Sequence, residues 1–267
     1  MSHLIKPPLG TLPIIGHPLA QGLVGCWLMN EGGGDTINDL SGNGNTGTFV
    51  GDTHFVPGKF GPCLDFDGTG DYVDLGNPSV LKLSGSMTIS AWVYPTSIDS
   101  GYSTVLSHWG STGAEAAFNF TILPTTFHLQ FSVSDGSSTT NYESSAAVVL
   151  NSWNHILVSY YYSGSPDSTF CINRVMQFVT MGRALNTNPT TNINVGRSSS
   201  GSATSNFIGQ MDNVMIYNRA LGADEIQQLY SDSFAMFRRT PIELWTGATS
   251  GGITPTEQNA IFFGCNF

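Results

Sequence analysis

The stretch Gly209-Gln-Met-Asp-Asn-Val-Met-Ile-Tyr-Asn-Arg-Ala-Leu-Gly-Ala-Asp-Glu-Ile-Gln-Gln-Leu-Tyr230 joins an alternating run to a helical one. Successive strand side chains point to opposite faces, so the pattern predicts Asp212, Val214 and Ile216 on one side of a strand. Met211, Asn213, Met215 and Tyr217 then take the other side. A carboxylate on an apolar face needs a partner. Further on, Ile226, Leu229 and Tyr230 fall at i, i+3, i+4 spacing, which predicts a helix of one or two turns. Glu225 stands where a capping box wants a glutamate, although Gly222 has no hydroxyl to complete it.

The same alternation recurs upstream. Met87, Ile89, Ala91 and Val93 alternate with Thr88, Ser90, Trp92 and Tyr94. Phe127, Leu129, Phe131 and Val133 alternate with His128, Gln130 and Ser132; Ile156, Val158, Tyr160 and Tyr162 alternate with His155, Leu157, Ser159 and Tyr161. Short alternating runs separated by Gly, Asn, Asp and Ser turns predict an all-β, antiparallel sandwich or barrel. Three zones follow: an arm over residues 1–20 punctuated by Pro7, Pro8, Pro13 and Pro18, a domain over 21–234, and a C-terminal extension over 235–267. Both outer zones are too apolar for disordered tails: the arm carries Leu4, Ile5, Leu9, Leu12, Ile14 and Ile15, and the extension carries Ile242, Leu244, Trp245 and Phe267.

Composition narrows the partners. Of 267 residues 40% are hydrophobic but only 10% charged, against about 25% in an average soluble domain, so Ser, Thr, Asn and Gly must supply the polar surface. The net charge of -10 repels phosphate backbones and anionic lipid, which argues against nucleic acid and membrane as partners. No segment approaches the roughly twenty apolar residues that cross a bilayer, and prolines break the N-terminus as a secretory signal. Cys26, Cys63, Cys171 and Cys265 match no metal or redox spacing and read as free thiols rather than disulfides.

A family resemblance rests on motifs in order: Gly22-Leu-Val-Gly-Cys-Trp-Leu-Met-Asn-Glu-Gly-Gly-Gly34, Asp39-Leu-Ser-Gly-Asn-Gly-Asn-Thr-Gly47, Gly58-Lys-Phe-Gly-Pro-Cys-Leu-Asp-Phe-Asp-Gly68, Asp71-Tyr-Val73, Met87-Thr-Ile-Ser-Ala-Trp-Val93, Ser152-Trp-Asn-His155, and the strand and helix quoted first. Over residues 21–232 the chain resembles the laminin-G-like, concanavalin A-like jelly rolls. The resemblance implies two curved antiparallel sheets packed face to face, one short C-terminal helix, and adjacent terminal strands. Asn173-Arg174 stands where the family often has an Asn-Gly hairpin, so a longer or strained turn is expected there. Cys26 and Cys63 replace residues more often Ala or another small apolar.

Some enzymes share this fold, notably glucanases with a Glu-x-Asp-x-x-Glu run on one strand face. The six glutamates, Glu31, Glu115, Glu143, Glu225, Glu243 and Glu257, are scattered, and His108, His128 and His155 stand apart. Asp65 and Asp67 read as turn hydrogen bonding. No catalytic residue is expected. The loop Asp39 to Gly47 offers a carboxylate and the amide oxygens of Asn43 and Asn45, which is hard-oxygen chemistry suited to calcium. The resemblance implies a structural calcium near that loop and the aspartate opening the last strand, so Asp39, Asn43, Asn45 and Asp212 form the candidate metal set. The alternative is that Asp39 caps a turn and Asp212 accepts backbone N–H groups.

Two functions remain. A lectin reading draws on Trp109, Tyr142, Tyr160 or Tyr162 as aromatics to stack on sugar rings, with core packing as the plain alternative for each. An assembly reading draws on the apolar arms, as ordered extensions that bind other subunits. Ile5-Lys-Pro-Pro-Leu-Gly, His17-Pro-Leu-Ala-Gln-Gly-Leu-Val-Gly-Cys-Trp, Leu229-Tyr-Ser-Asp-Ser-Phe-Ala-Met-Phe and Pro241-Ile-Glu-Leu-Trp-Thr-Gly-Ala-Thr-Ser resemble the flanks of laminin-G-like proteins among tailed-phage structural genes. That resemblance implies a non-catalytic virion surface protein, in capsid decoration or a fibre, with arms that bind copies of itself or other virion proteins and a face that adheres to glycans. A free lectin-like module is the alternative, with a glycoside hydrolase or lyase relative behind it.

Overall fold

The computed structural model describes residues 5–98, 101–201 and 204–238; the C-terminal extension from 239 onward, with Cys265 and Trp245, lies outside the described residues. The strands are β1 (Leu23–Trp27), β2 (Thr36–Ile37), β3 (Gly47–Val50), β4 (His54–Pro57), β5 (Pro62–Asp67), β6 (Tyr72–Asp74), β7 (Met87–Pro95) and β8 (Ser103–His108). They continue as β9 (Phe118–Ile122), β10 (His128–Ser134), β11 (Thr139–Ala147), β12 (Asn154–Tyr160), β13 (Ser168–Ile172), β14 (Val175–Val179), β15 (Asn194–Val195) and β16 (Ile208–Tyr217), followed by the helix α1 (Ala223–Ser231). The first sheet runs β14-β13-β12-β7-β16-β5-β4, with β1 also on β16; the second runs β11-β10-β9-β8-β15-β6-β3-β2. The architecture is the expected antiparallel jelly-roll sandwich. No helix among the described residues is long and apolar enough to cross a membrane.

Alternation explains the core between the sheets. Met87, Ile89, Ala91 and Val93 of β7, Leu129, Phe131 and Val133 of β10, and Ile156, Val158 and Tyr160 of β12 all enter it. Tyr162 does not, because β12 ends at Tyr160 and Tyr162 is exposed. The outer face of the first sheet holds a second apolar layer: Leu157, Cys171, Met215 and Tyr217 from the strands meet Leu19, Leu221, Ile226, Leu229, Phe234 and Met236 from the arm, the helix and the residues on either side of it. Burying both faces of this sheet explains why Leu157 stands among polar neighbours in β12.

The strand β16 departs from simple alternation. Its pairing with β7 breaks between Asp212 and Met215, and Asn213 lies at φ 50°. A bulge of this kind reverses which face later residues occupy. Met211, Val214 and Ile216 therefore enter the inter-sheet core, whereas Met215 and Tyr217 belong to the outer layer. Asp212 is registered with Trp92, which lies on the outer face with Tyr230 stacked on it. The predicted sharing of a face by Asp212, Val214 and Ile216 is thus corrected by one bulge.

The expected strain at Asn173-Arg174 takes a definite form. Ile172 pairs with Val175, so the connection is a two-residue hairpin, with Asn173 at φ 48° and Arg174 at φ 77°. Arg174 lies where glycine is preferred, and its contacts compensate: Nε donates to Gln227 Oε1 at 3.0 Å and its carbonyl accepts from Gln227 Nε2 at 3.0 Å, which fastens the hairpin to α1. The helix is capped as the spacing implied, with Glu225 accepting the Gly222 N–H at 3.0 Å. Ile226 and Leu229 are buried.

Candidate functional site

The residues expected to hold a metal separate into two places. Asp39 is saturated by donors: its carboxylate accepts from the N–H groups of Cys26 (2.9 Å), Ser41 (2.8 Å) and Asn45 (3.0 Å), and from the Ser41 hydroxyl and Asn45 Nδ2 (both 2.8 Å). Asn43 and Asn45 turn their amide N–H groups to the Val24 carbonyl, at 3.2 and 2.9 Å. The loop therefore converges N–H donors on one carboxylate and stitches β1 to the chain after β2. Asp212 does not join it. Its Oδ1 lies 2.5 Å from Lys6 Nζ, both side chains being buried. Burial raises the Asp212 pKa to about 7, with Lys6 opposing the shift.

A cluster the sequence reading did not single out lies elsewhere: single ligand atoms of Asp52, Asp67 and Asp71 come within 4.8 Å of one another. Asp71 already accepts the N–H groups of Asp52 and Asp67, each at 2.9 Å, so it braces two turns. The Asp67 carboxylate accepts the Thr69 N–H at 2.5 Å, as turn chemistry predicts.

His155, His108 and the described glutamates have structural partners. His155 Nε2 and the Ser90 hydroxyl are 2.8 Å apart beneath Trp92 and Tyr230, and burial pushes its pKa down to about 3, so the ring is neutral. Burial likewise takes His108 down to about 4, beside the Thr191 carbonyl at 3.0 Å. Glu31 accepts from the Asn38 N–H, Glu115 from the Thr112 N–H, and Glu143 from Gln130.

The outer face of the second sheet has a different chemistry. Leu106, Phe120, Phe131 and Val195 point into the sandwich, so their strand neighbours point outward. The resulting cross-strand ladders are Thr104, Thr121, Gln130, Glu143 and Asn194, Ser107, Asn119, Ser132, Asn141. Hydroxyls and amides fill the centre of this face. Thr104 Oγ1, Thr121 Oγ1, Asn119 Oδ1 and Asn194 Oδ1 have no hydrogen-bond partner in the structure, an uncommon state for buried polar atoms.

One end of this face forms a pocket of about 300 Å³, lined by Gly101, Tyr102, Leu123, Pro124, Thr125 and Thr126. Gly101 and Tyr102 lead into β8, and the other four residues leave β9 in the turn to β10. Ser103 pairs with Ile122 at that end, and the outward Thr104–Thr121 pair comes next. Tyr102 is 44% exposed. An exposed aromatic ring beside threonine hydroxyls and a Leu-Pro wall offers a stacking surface with hydrogen-bonding groups around it. Among the aromatics named from the sequence, Tyr160 is core and Tyr142 packs against the core while accepting the Gly182 N–H at 3.2 Å. Trp109 is half-buried and Tyr162 is exposed away from this pocket. Tyr102 was missed because a single aromatic before a strand carries no periodic signal.

Residues 67–227 match the model of the concanavalin A-like lectin/glucanases superfamily. The chain belongs to this family. Similar solved structures include the binding domain of Paraclostridial mosquitocidal protein 1, at 19% identity and TM-score 0.64, covering 81% of this chain and 53% of that one. Domain 4 of an extracellular arabinanase from Geobacillus stearothermophilus, in complex with arabinotriose, is similar at 18% identity and TM-score 0.61, over 78% of this chain and 98% of the other. A sialidase from Trypanosoma rangeli, in complex with sialic acid, is similar at 16% identity and TM-score 0.57, over 78% of this chain and 32% of the enzyme. The chain therefore spans about half the length of the mosquitocidal binding domain and a third of the sialidase. Among curated proteins there is no significant sequence match.

Proposed function

We propose that the protein is a non-catalytic carbohydrate-binding jelly roll whose ligand surface is the Tyr102 end of the second sheet. The observation that carries this reading is the pocket, in which the exposed Tyr102 ring stands beside Thr125 and Thr126 and a wall made by Leu123 and Pro124. Sugar recognition needs a flat apolar surface and a few placed donors and acceptors. Neighbouring structures add support: one is a toxin binding domain, and two were solved with arabinotriose or sialic acid. A glycan array probed with the full chain tests the proposal. Retention of a defined oligosaccharide set, lost in Tyr102→Ala, is the expected result; equal retention by the variant overturns it.

A second reading, the virion surface role with assembly through the arm, is favoured by one observation. Ile5, Leu9, Leu12 and Ile15 are all exposed large apolar residues on one short segment, with Ile15 99% exposed. Leu12 and Ile15 also line an apolar pocket of about 430 Å³ with Ala20 and Leu23. Such a patch on a protein surface marks a contact site for another chain. Light scattering on the full chain tests it: an oligomer that dissociates in Leu12→Asp/Ile15→Asp supports assembly, and an unchanged mass for the variant contradicts it.

A further inference from the structure

The neighbours of β16 change exactly where its bulge occurs. β5 pairs with it through Met211, and β1 pairs from Val214 onward. On that side Asp212 and Asn213 face the gap between the end of β1 and the start of β5. Lys6 of the arm enters the gap: its Nζ lies 2.5 Å from Asp212 Oδ1, donates to the Met29 carbonyl at 3.3 Å, and makes a short hydrogen bond to the Pro62 carbonyl. An ammonium has three N–H donors, and here it meets three oxygens. The Lys6 and Asp212 side chains are 4% and 0% exposed. Asn30 Nδ2 donates to the Pro7 carbonyl at 2.8 Å, which pins the arm beside the lysine.

A carboxylate and two main-chain carbonyls, buried together, form the kind of hard-oxygen set that binds a cation. The next residue, Asn213, is 2% exposed, and neither its Oδ1 nor its Nδ2 has a hydrogen-bond partner in the structure. A buried carboxylate without a cation is costly, so the gap requires a positive charge from some source. We infer that the Lys6 ammonium is a tethered cation plugging an oxygen cage made by Asp212, the Met29 carbonyl and the Pro62 carbonyl, and that emptying the cage creates a site for a hard divalent cation. Arm docking and cation binding are then mutually exclusive. The arm serves as a plug whose removal is linked to calcium, a coupling independent of the glycan reading.

The test uses full-length wild type, Lys6→Ala and Lys6→Ala/Asp212→Asn, melted with CaCl2 and with chelator. Calcium at about a hundred times its Kd raises the Lys6→Ala midpoint by about 5 °C. Wild type, whose cage is filled, and the double variant, which lacks the carboxylate, do not respond. A calcium-insensitive Lys6→Ala, or a wild type that gains as much, overturns the inference. Should Lys6→Ala not fold in chelator, refolding rescued by CaCl2 supports the cage. Should it fold in neither buffer, Lys6→Gln is melted in the same way, and its failure to respond to calcium overturns the inference.

Discussion

The two outer faces of this sandwich are made from similar antiparallel strands and end in opposite conditions. On the first sheet, Leu157, Cys171, Met215 and Tyr217 point outward, and the arm, α1 and the turn at Ala235–Phe237 close over them. On the second sheet the outward residues are Thr, Ser, Asn and Gln, and that face ends in a pocket beside Tyr102. An apolar outer face is completed by the chain itself, whereas on the polar one the central Thr104, Ser107 and Thr121 are buried and the open part is the end beside the exposed Tyr102. The first face serves stability, and the end of the second beside Tyr102 is where we propose that recognition occurs. Mutations on the two should therefore separate folding from binding.

The largest expected effect lies in the gap filled by Lys6. At pH 8, where Asp212 is ionised, Asp212→Ala leaves a buried ammonium without its counter-charge and should cost about 3–5 kcal/mol by urea denaturation. The paired replacement Lys6→Met/Asp212→Asn should recover most of that loss, because removing both charges is far milder than orphaning one. Additive losses in the double variant would show that the two side chains do not act as a pair. Next is Leu229→Ala in the helix that covers the same face: a buried leucine truncated there should cost about 2–4 kcal/mol. Asn141→Ala, exposed on the second sheet, should stay within about 0.5 kcal/mol of wild type. Were the two substitutions equally damaging, the contrast between the faces would be wrong.

The pH dependence carries opposite signs from the two kinds of buried group. Asp212, raised to about 7, holds a proton in the native state that the unfolded chain releases near pH 4, so its contribution is lost as pH rises toward 7. His155 and His108, lowered to about 3 and 4, stay neutral in the native state while the unfolded chain takes up protons below about pH 6.5. Their contribution is lost as pH falls through that window. Asp212→Asn removes the opposing slope, so the variant should lose stability on acidification from pH 6.5 to 4 more steeply than wild type. Parallel curves of urea midpoint against pH would contradict this.

Much of the first-order structure was legible because it is periodic. Met87 to Val93 and Leu129 to Val133 announce their faces by alternation alone, and the ordered motifs from Gly22 to Tyr230 carry the family. What alternation misplaced was Asp212, since one bulge at Asn213 reverses the side on which its neighbours lie. Lys6 was unreadable as its partner because a lone lysine in a proline-rich arm has no local pattern that points to a distant strand. The Asp39 loop was legible as a cluster, but the hydrogen bonds from Asn43 and Asn45 Nδ2 to the Val24 carbonyl, which tie it to β1, join residues about twenty apart and have no local signal. Tyr102 becomes visible only when the β8 entry and the β9–β10 turn are brought side by side.

The smallest effect on stability should accompany the largest effect on binding. Tyr102→Ala, at an exposed position, should leave the unfolding midpoint within about 0.5 kcal/mol of wild type. The most direct measurement is a titration of wild type and Tyr102→Ala with the best oligosaccharide from the glycan array, alongside the Asn141→Ala control. Affinity should fall at least tenfold, about 1.4 kcal/mol, in Tyr102→Ala alone. A variant that binds as tightly as wild type, or a wild type that retains no oligosaccharide, would contradict the assignment of recognition to this end of the second sheet.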